Sequence, residues 1–358
     1  MRYLPTLALS AILSFALIWA WILAMPMAFM DPEYPSWRAK EVLLDRCDLG
    51  EAIILGDSRA AADILPERMP FLMTNLAVGG GEAIEAFAAL TRALECPSPP
   101  RMVIISIDPG HFVRPDLFWE RSVRYGFLSN ADINALRDAS RQTGDQSIYE
   151  ARHAEGLPTR LRDFLYRVHF PPLYFASLAH GMGFLRWFPN NRTFQATLMA
   201  RGHYYFGTEA GSSGVALDGH LAHFTPRPIL DFYFDKLVRE LDRRGIDTRF
   251  IAMAVNQATW NQVRPDVLDK FAAYLAGYER RYAHFRVASE LMPSWPDRYF
   301  GDMFSHLNPE GAERFSAALA QRLQDAPPRT QNEAQKGWLR DTGPDASAKV
   351  VPISKRGS

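Results

Sequence analysis

The chain has 358 residues, of which 47% are hydrophobic and 22% are charged, and its 40 basic side chains balance its 40 acidic ones. This composition indicates a folded protein with a sizeable core and excludes a wholly disordered chain. Because binding to a phosphate backbone needs a surplus of positive charge, we do not expect nucleic acid as the main partner.

The N-terminal residues predict a membrane anchor. No charged side chain occurs between Tyr3 and Met30, and the apolar run Leu7–Leu23 is long enough to cross a bilayer as a helix. A cleaved signal peptide is the alternative, but its apolar region would be shorter, and Ala24–Ala28 is only a passable cleavage site. We therefore expect a single-pass anchor over residues 1–30 in the cytoplasmic membrane, with the remaining chain on the periplasmic or extracytoplasmic side.

Residues 31–47 predict a juxtamembrane linker with a short helix. Cys47 precedes the apolar run Ala52–Leu55, and Cys96 precedes a second run, Met102–Ile107. If these runs are neighbouring parallel strands, both cysteines lie at the same edge of the sheet, where a disulfide forms in an oxidising compartment. Two buried free thiols are the alternative.

Between residues 48 and 323, apolar runs alternate with segments of helical periodicity, and this pattern predicts a single α/β domain. We expect a mostly parallel, doubly wound sheet. The predicted strands are Ala52–Leu55, Met73–Val78, Met102–Ile107, Thr248–Val255 and Phe285–Ala288. The predicted helices are Glu82–Leu94, Ala131–Arg141, Leu161–Val168, Ile229–Arg243, Leu268–His284 and a last helix from Asn308 to about Leu323.

Two segments depart from this alternation. Between about residues 111 and 227 the chain is rich in aromatic residues and scattered prolines, and we interpret it as an insertion or lid over the C-terminal edge of the sheet. Its aromatic side chains either line a glycan groove or form a core of their own. Residues 324–358 are polar and rich in proline, which predicts a disordered tail.

Ser58 lies in the turn between the strand Ala52–Leu55 and a helix that begins at Ala60–Ala62. Such a turn places a hydroxyl above the C-terminal edge of a parallel sheet, where α/β proteins bind ligands, and aims the first helical N–H groups at the same point. Ser58 is therefore a candidate nucleophile. An ordinary turn with a helix N-cap is the alternative.

Two later segments bring complementary groups to the same edge. Gly79–Gly81 follows the second predicted strand, and His306 precedes the last helix, with Asp302 upstream of it. A serine becomes nucleophilic when a base removes its proton and N–H donors hold the oxyanion. His306 is the candidate base, Asp302 the residue that orients it, and the N–H groups of Ser58 and Gly80 the candidate oxyanion hole.

These segments together resemble the SGNH (GDSL-like) hydrolase superfamily. The resemblance rests on Gly56-Asp57-Ser58, on the block from Asn75 to Gly80, and on the block from Asp302 through Ser305-His306 to Gly311. It implies a three-layer α/β fold and a serine that forms an acyl intermediate.

The chain departs from the superfamily pattern at two places. The usual last block is Asp-x-x-His, whereas Asp302 lies four positions before His306, so Asp297 is a second candidate for the acid. The superfamily also has a Gly-x-Asn-Asp block after the third strand, where this chain has Ser106-Ile-Asp108-Pro-Gly110. An ionised Asp108 cannot donate to an oxyanion, which makes an ordinary secreted esterase less expected.

The anchor and the incomplete oxyanion block are similar to the membrane-anchored branch of SGNH-like proteins, which includes the alginate O-acetylation proteins and the protein that transfers D-alanine to teichoic acids. That similarity implies an O-acyltransferase whose Ser58 accepts an acyl group from a membrane-bound O-acyltransferase partner. The group then passes to a hydroxyl of a surface polysaccharide. An esterase or deacetylase with the same residues, and a non-catalytic protein that binds glycan or partner, are the alternatives.

Four further residues are candidates for substrate binding. Arg59 follows the serine and is placed to steer an anionic glycan, with a surface salt bridge as the alternative. Asp108 and His111 follow the third strand, and Asn256 follows the fourth, so each reaches the C-terminal edge of the sheet.

We predict neither a metal nor a cofactor. His220 and His223, with Asp218, have no helical context and no third ligand in register. Gly79–Gly81 lacks the Gly-x-Gly-x-x-Gly spacing of a nucleotide-binding loop.

Overall fold

The computed structural model describes residues 3–115, 118–149 and 186–325, with isolated positions between 158 and 168. The predicted tail lies outside the described residues from position 326 onward, and the predicted helix Leu161–Val168 is described only in part.

The described residues form an α/β domain with one apolar helix at the N-terminus. The strands are β1 (Ala52–Gly56), β2 (Met73–Asn75), β3 (Met102–Ser106), β4 (Asp247–Phe250), β5 (Val255–Asn256), β6 (Phe285–Val287) and β7 (Ser294–Trp295). The described helices are α1 (Tyr3–Ala24), α2 (Pro26–Phe29), α3 (Tyr34–Asp45), α4 (Ser58–Asp63), α5 (Ala83–Leu94), α6 (Pro109–Val113), α7 (Asn130–Thr143), α8 (Trp187–Met199), α9 (Pro228–Arg243), α10 (Gln257–Gln262), α11 (Pro265–Arg281) and α12 (Pro309–Asp325).

The central sheet has the order β2-β1-β3-β4-β6, and every pair of neighbouring strands is parallel. The chain passes from β1 outward to β2, then returns to β3 and continues in the opposite direction to β4. The order therefore reverses between β1 and β3, and the C-terminal ends of these two strands border the crevice where open α/β sheets bind ligands.

Successive strand residues point to opposite faces of the sheet. Because the residues on both faces are apolar, helices cover each face. Ile53 and Leu55 belong to a core shared with α3, α5, α9 and α11, whereas Ala52 and Ile54 belong to a second core shared with α4 and α12. The expected parallel α/β sheet is thus present. Several described aromatic side chains of the 111–227 segment belong to the first core, among them Phe112, Trp119 and Tyr125, whereas Tyr205 and Phe206 pack against the second.

The predicted strand Thr248–Val255 is divided in two. The sheet strand β4 ends at Phe250, and the chain then leaves the sheet to form β5, which pairs with β7. The bend is fixed by hydrogen bonds from Ala252 N to Ser289 Oγ (2.8 Å) and from Val255 N to Pro293 O (3.0 Å). An unbroken apolar run does not reveal such a change of partner.

Residues 31–47, predicted as a linker with a short helix, belong to the folded domain. The helix α3 is present, and its Trp37 is 1% exposed between the rings of Tyr125 (5.4 Å) and Phe127 (5.3 Å). The helix ends just before Cys47, which forms a disulfide with Cys96. Of the two alternatives for these cysteines, the structure has the disulfide.

Reduction of this disulfide is expected to lower the free energy of unfolding by about 2 to 4 kcal/mol, because Cys47 and Cys96 are 49 positions apart and the open chain gains loop entropy. Denaturant unfolding with and without a reductant measures the change. A Cys47→Ala, Cys96→Ala double variant should match the reduced protein and should not respond to the reductant. Equal stability of the oxidised and reduced wild type would contradict the prediction.

The helix α1 has 22 residues and is long and apolar enough to cross a membrane. Most of its side chains are exposed, whereas Ile22 near its end is fully buried in the first core. Its anchoring role stays a proposal, because a signal sequence near an N-terminus also meets this test of length and apolar composition.

Candidate active site

A cavity of about 410 Å³ lies at the C-terminal ends of β1 and β3. The predicted residues that line it are Ser58, Arg59, Gly80, Asp108, His111, Asp302 and His306. The insertion forms another part of its wall with Arg114, Arg121, Phe206, Leu217 and Asp218, and Glu82 and Phe304 complete the lining. The structure therefore brings every predicted site residue except Asn256 to one cavity.

Ser58 is the first residue of α4, directly after β1. Gly56 makes this turn possible, because its φ is +153° and a Cβ there would lie 1.8 Å from the carbonyl oxygen of Ser106. Asp57 caps the helix, and its Oδ1 accepts hydrogen bonds from the N–H of Arg59 (3.0 Å) and of Ala60 (3.4 Å). The Ser58 side chain is half-buried at the cavity wall.

Of the two candidate acids, Asp302 contacts His306 and Asp297 does not. The His306 Nδ1 lies 2.6 Å from Asp302 Oδ2, whereas Asp297 Oδ1 accepts from the N–H of Gln257 (3.0 Å). The four-position spacing is accommodated by Ser305, which has a φ of +63° and so turns the chain sharply before His306. Sequence inspection did not find this role of Ser305, since only the backbone geometry shows it.

The electrostatics of the Asp302–His306 pair suit a histidine base that is oriented by an ionised carboxylate. Partial burial raises the pKa of the Asp302 carboxyl, but hydrogen bonds from the His306 ring and from the N–H groups of Phe304 and His306 lower it below its usual value. The imidazole is stacked on Phe206, with ring centroids 4.6 Å apart. Its Nε2 is buried and has no hydrogen-bond partner among the described residues, so it is available to a hydroxyl.

Two N–H groups at the cavity are also available. In the described part of the chain, neither the N–H of Ser58 nor that of Gly80 has a hydrogen-bond acceptor. Gly80 has a φ of +66°, a conformation that glycine adopts without steric cost. Paired free N–H groups at a serine are the donors that an acyl-transfer oxyanion needs.

Arg59 does not face solvent as a glycan-steering residue would. It is 3% exposed, its Nη1 lies 3.0 Å from Asp108 Oδ1, and its Nη2 pairs with Asp218. Both expectations for Arg59, the steering of a glycan and a surface salt bridge, differ from this buried network. Asp218 lies 159 positions away in the chain, so no local signal could have indicated the pair.

Asp108 is part of this network. It does not replace the side-chain amide of the Asn in the superfamily's Gly-x-Asn-Asp block. Burial raises its pKa well above the usual value, as does repulsion from Asp57 and Asp218, although Arg59 lowers it. Its N–H donates to Asp57 Oδ2 (2.7 Å), which ties the ends of β3 and β1 together.

His111 contacts the same buried carboxylate, with its Nδ1 3.2 Å from Asp57 Oδ2. Burial alone would raise the pKa of Asp57, but the hydrogen bond from His111 and the charge of Arg59 lower it. The ligand atoms of Asp57, Asp108 and His111 lie within 4.8 Å of one another, a spacing that would suit a metal ion. However, the Asp108 N–H donates to Asp57 and the Arg59 guanidinium pairs with Asp108, so these carboxylates have partners without a metal ion.

Asn256 was predicted as a substrate contact, and the structure places it elsewhere. It is fully buried as the N-cap of α10, where its Oδ1 accepts from Thr259 N (2.8 Å). Its Nδ2 donates to the carbonyls of Ser212 (3.1 Å) and Gly214 (2.6 Å). Both donors of the amide are used, so Asn256 has none for substrate.

Asp63 is a buried acid that sequence inspection missed. Its Oδ1 accepts from the N–H of Leu307 (2.9 Å), next to His306, while its Oδ2 has no partner among the described residues. Burial raises its pKa well above the usual value. A carboxyl of this kind binds its proton more tightly in the folded protein, so it lowers the free energy of unfolding as pH rises above about 4.

The Asp63→Asn variant is therefore expected to gain stability over wild type as the pH rises from about 4 to 8, since an amide keeps the acceptor and carries no charge. Asp63→Ala is expected to lose about 1 to 3 kcal/mol, because the buried Leu307 N–H then has no acceptor. Denaturant unfolding at several pH values measures both. A difference between Asp63→Asn and wild type that does not change with pH would contradict the prediction.

Comparison of the chain with protein-family models, with curated proteins and with solved structures gave no match. The resemblance to the SGNH superfamily thus rests on the sequence motifs of this chain alone.

Proposed function

We propose that the protein is an extracytoplasmic, SGNH-like serine O-acyltransferase that O-acetylates an exopolysaccharide or cell-wall glycan. One observation carries the proposal. A serine at a strand-to-helix turn, an Asp-oriented histidine with an available Nε2, and two available N–H groups all line one cavity.

The chemistry follows from these positions. His306 Nε2 takes the proton of Ser58, whose Oγ attacks the carbonyl carbon of the acyl donor, and the N–H groups of Ser58 and Gly80 hold the oxyanion. The oxyanion collapses to acyl-Ser58, and the leaving group departs with the proton from His306. A sugar hydroxyl then loses its proton to His306 and attacks the acyl-serine, which transfers the group and restores the free serine.

The surroundings of Ser58 support a bulky acceptor. The rings of Phe206 and Phe304 line the cavity next to His306, with centroids 4.6 and 6.3 Å from the imidazole, and apolar ring faces suit the C–H faces of a sugar. A membrane-bound O-acyltransferase is the proposed acyl donor, and α1 would hold the protein in the same membrane. The proposed chemistry uses no metal or cofactor.

The test follows the intact mass of the full-length protein with an activated acetyl ester, with and without an oligosaccharide acceptor. The full chain is needed because Ile22, Met30 and Tyr34 belong to the core. We expect an acetyl adduct on wild type and none on Ser58→Ala. The matched control is Ser106→Ala, which should retain the adduct. Ser106 is the last residue of β3 and pairs in register with Gly56, so this variant removes a nearby serine hydroxyl other than that of Ser58.

The outcomes separate the three functions. Transfer of the adduct to the oligosaccharide supports the transferase, and rapid release to water regardless of acceptor supports the esterase or deacetylase. A protein that forms no adduct, and whose Ser58→Ala variant keeps its biological role, is a non-catalytic binding protein.

A further inference from the structure

The segment that follows α1 reaches the domain at the catalytic edge of the sheet. Glu33 lies between α2 and α3, and its Oε2 is 2.8 Å from Arg121 of the cavity wall. A Cβ on Gly79 would lie 1.6 Å from Glu33 Oε1, so the carboxylate sits against the glycine turn that carries Gly80. From there α3 runs to the opposite edge and ends just before Cys47, whose disulfide partner Cys96 precedes β3.

The connection between α1 and the domain is packed and not a loose tether. Ile22 of α1 is fully buried in the first core, and Ile18 and Trp19 pack against it. Asp31 then bonds to Arg124 (3.1 Å) and to the hydroxyl of Tyr125. Side-chain packing therefore joins the C-terminal end of α1 to the domain.

The helix α8 begins beside this connection. The Nδ2 of Asn190 donates to the carbonyls of Met27 and Met30, each at 3.0 Å, and the N–H of Arg186 donates to the carbonyl of Ala28 (3.3 Å). Phe188 in the first turn of α8 is 77% exposed, although it is a large apolar side chain.

The other end of α8 lies at the opposite edge of the sheet. Arg201, two residues beyond α8, donates to the carbonyl of Met73 at the start of β2 (2.9 Å) and pairs with Asp48 (3.1 Å). Met199, in the last turn, is 80% exposed. Phe188 and Met199 are thus two exposed apolar residues on one helix, about 16 Å apart, at opposite edges of the sheet.

We propose that the bilayer lies against the catalytic edge of the domain, with Phe188 in the lipid interface and Met199 in water. The membrane itself is the proposed occupant of the surface around Phe188. The exposed apolar helix α1 leads directly into Met27 and Met30, and these residues hold the start of α8 through Asn190. Aromatic side chains suit this depth, where the ring is apolar and the surroundings are partly hydrated. The inference rests on the anchoring role of α1 in the proposed function, and it places Ser58 on the side of the domain that a donor from the membrane reaches.

The test measures the depth of single fluorescent labels in vesicles of phosphatidylethanolamine and phosphatidylglycerol. The native cysteines form a disulfide, so Phe188→Cys, Met199→Cys and Leu13→Cys each carry one labelled thiol in the full-length protein. All three native side chains are more than half exposed, so the substitutions leave the fold intact. Nitroxide-bearing lipids quench the labels, with the nitroxide near the headgroup in one set and deep in the acyl chains in another.

We expect deep quenching at position 13, and headgroup-level quenching at position 188 that is about threefold or more stronger than at position 199, since an interfacial side chain lies within about 10 Å of the headgroup boundary. Quenching at position 13 with equal quenching at 188 and 199 would overturn the proposed orientation alone. Absence of quenching at position 13 would overturn the anchoring role of α1 and this inference with it. Neither result depends on catalysis, so the assignment of Ser58 is tested separately.

Discussion

Replacement of His306 with glutamine is expected to slow formation of the proposed acyl-Ser58 by about 10⁴-fold or more, because the proposed mechanism then lacks the base that removes the proton of Ser58. Replacement of Asp302 with asparagine is expected to slow it by roughly 10³- to 10⁴-fold, since the amide neither fixes the tautomer of His306 nor stabilises the imidazolium. Stopped-flow or mass-based measurement of adduct formation with an activated acetyl ester gives both rates.

The control for Asp302 is Asp297→Asn, because both acids precede His306 in the same segment and only Asp302 contacts the imidazole. Asp297→Asn should retain nearly the wild-type rate. The substitutions of His306 and Asp302 should also be non-additive, so that the His306→Gln, Asp302→Asn double variant is no slower than His306→Gln alone. An Asp297→Asn variant as slow as Asp302→Asn would refute the assignment of Asp302.

Replacement of Arg59 with methionine is expected to lower the free energy of unfolding by about 3 to 5 kcal/mol, because it leaves the buried carboxylates of Asp108 and Asp218 without their cation. Methionine has a similar length, so the loss reflects charge more than volume. Chemical denaturation monitored by circular dichroism measures it.

The matched control is Arg68→Met, which breaks a pair with Glu313 whose two side chains are 51% and 44% exposed. Surface pairs of this kind contribute at most about 1 kcal/mol, so Arg68→Met should be nearly neutral. Because burial already raises the pKa of Asp108, acid protonates this carboxyl in the folded protein. The loss in Arg59→Met should therefore be smaller at pH 5 than at pH 8, and equal losses for the two arginine variants would disprove the buried network.

The position of Ser58 was predictable because it depends on local signals. An apolar run followed by glycine and then by helix-forming alanines predicts a strand, a turn and a helix, and the structure has β1 and α4 there. The same reasoning placed Gly80 and His306 at the C-terminal edge, since consecutive parallel strands end on the same side. The helices α5, α7, α9, α11 and α12 were each predicted to within a few residues, because their apolar periodicity is regular.

The sequence by itself thus determined the parallel α/β sheet, the apolar N-terminal helix and the edge of the sheet at which Ser58, Gly80 and His306 lie. Only the tertiary structure decided which distant groups meet: the choice of Asp302 over Asp297, the pairing of Arg59 with Asp218, and the burial of Asn256 in a helix cap. It also decided that residues 31–47 pack into the core and that the segment after α1 meets the domain at the C-terminal edge of the sheet. The reason is that periodicity records which face of an element is buried, whereas the partner on that face comes from distant chain segments, such as Leu307, which lies 244 positions from Asp63.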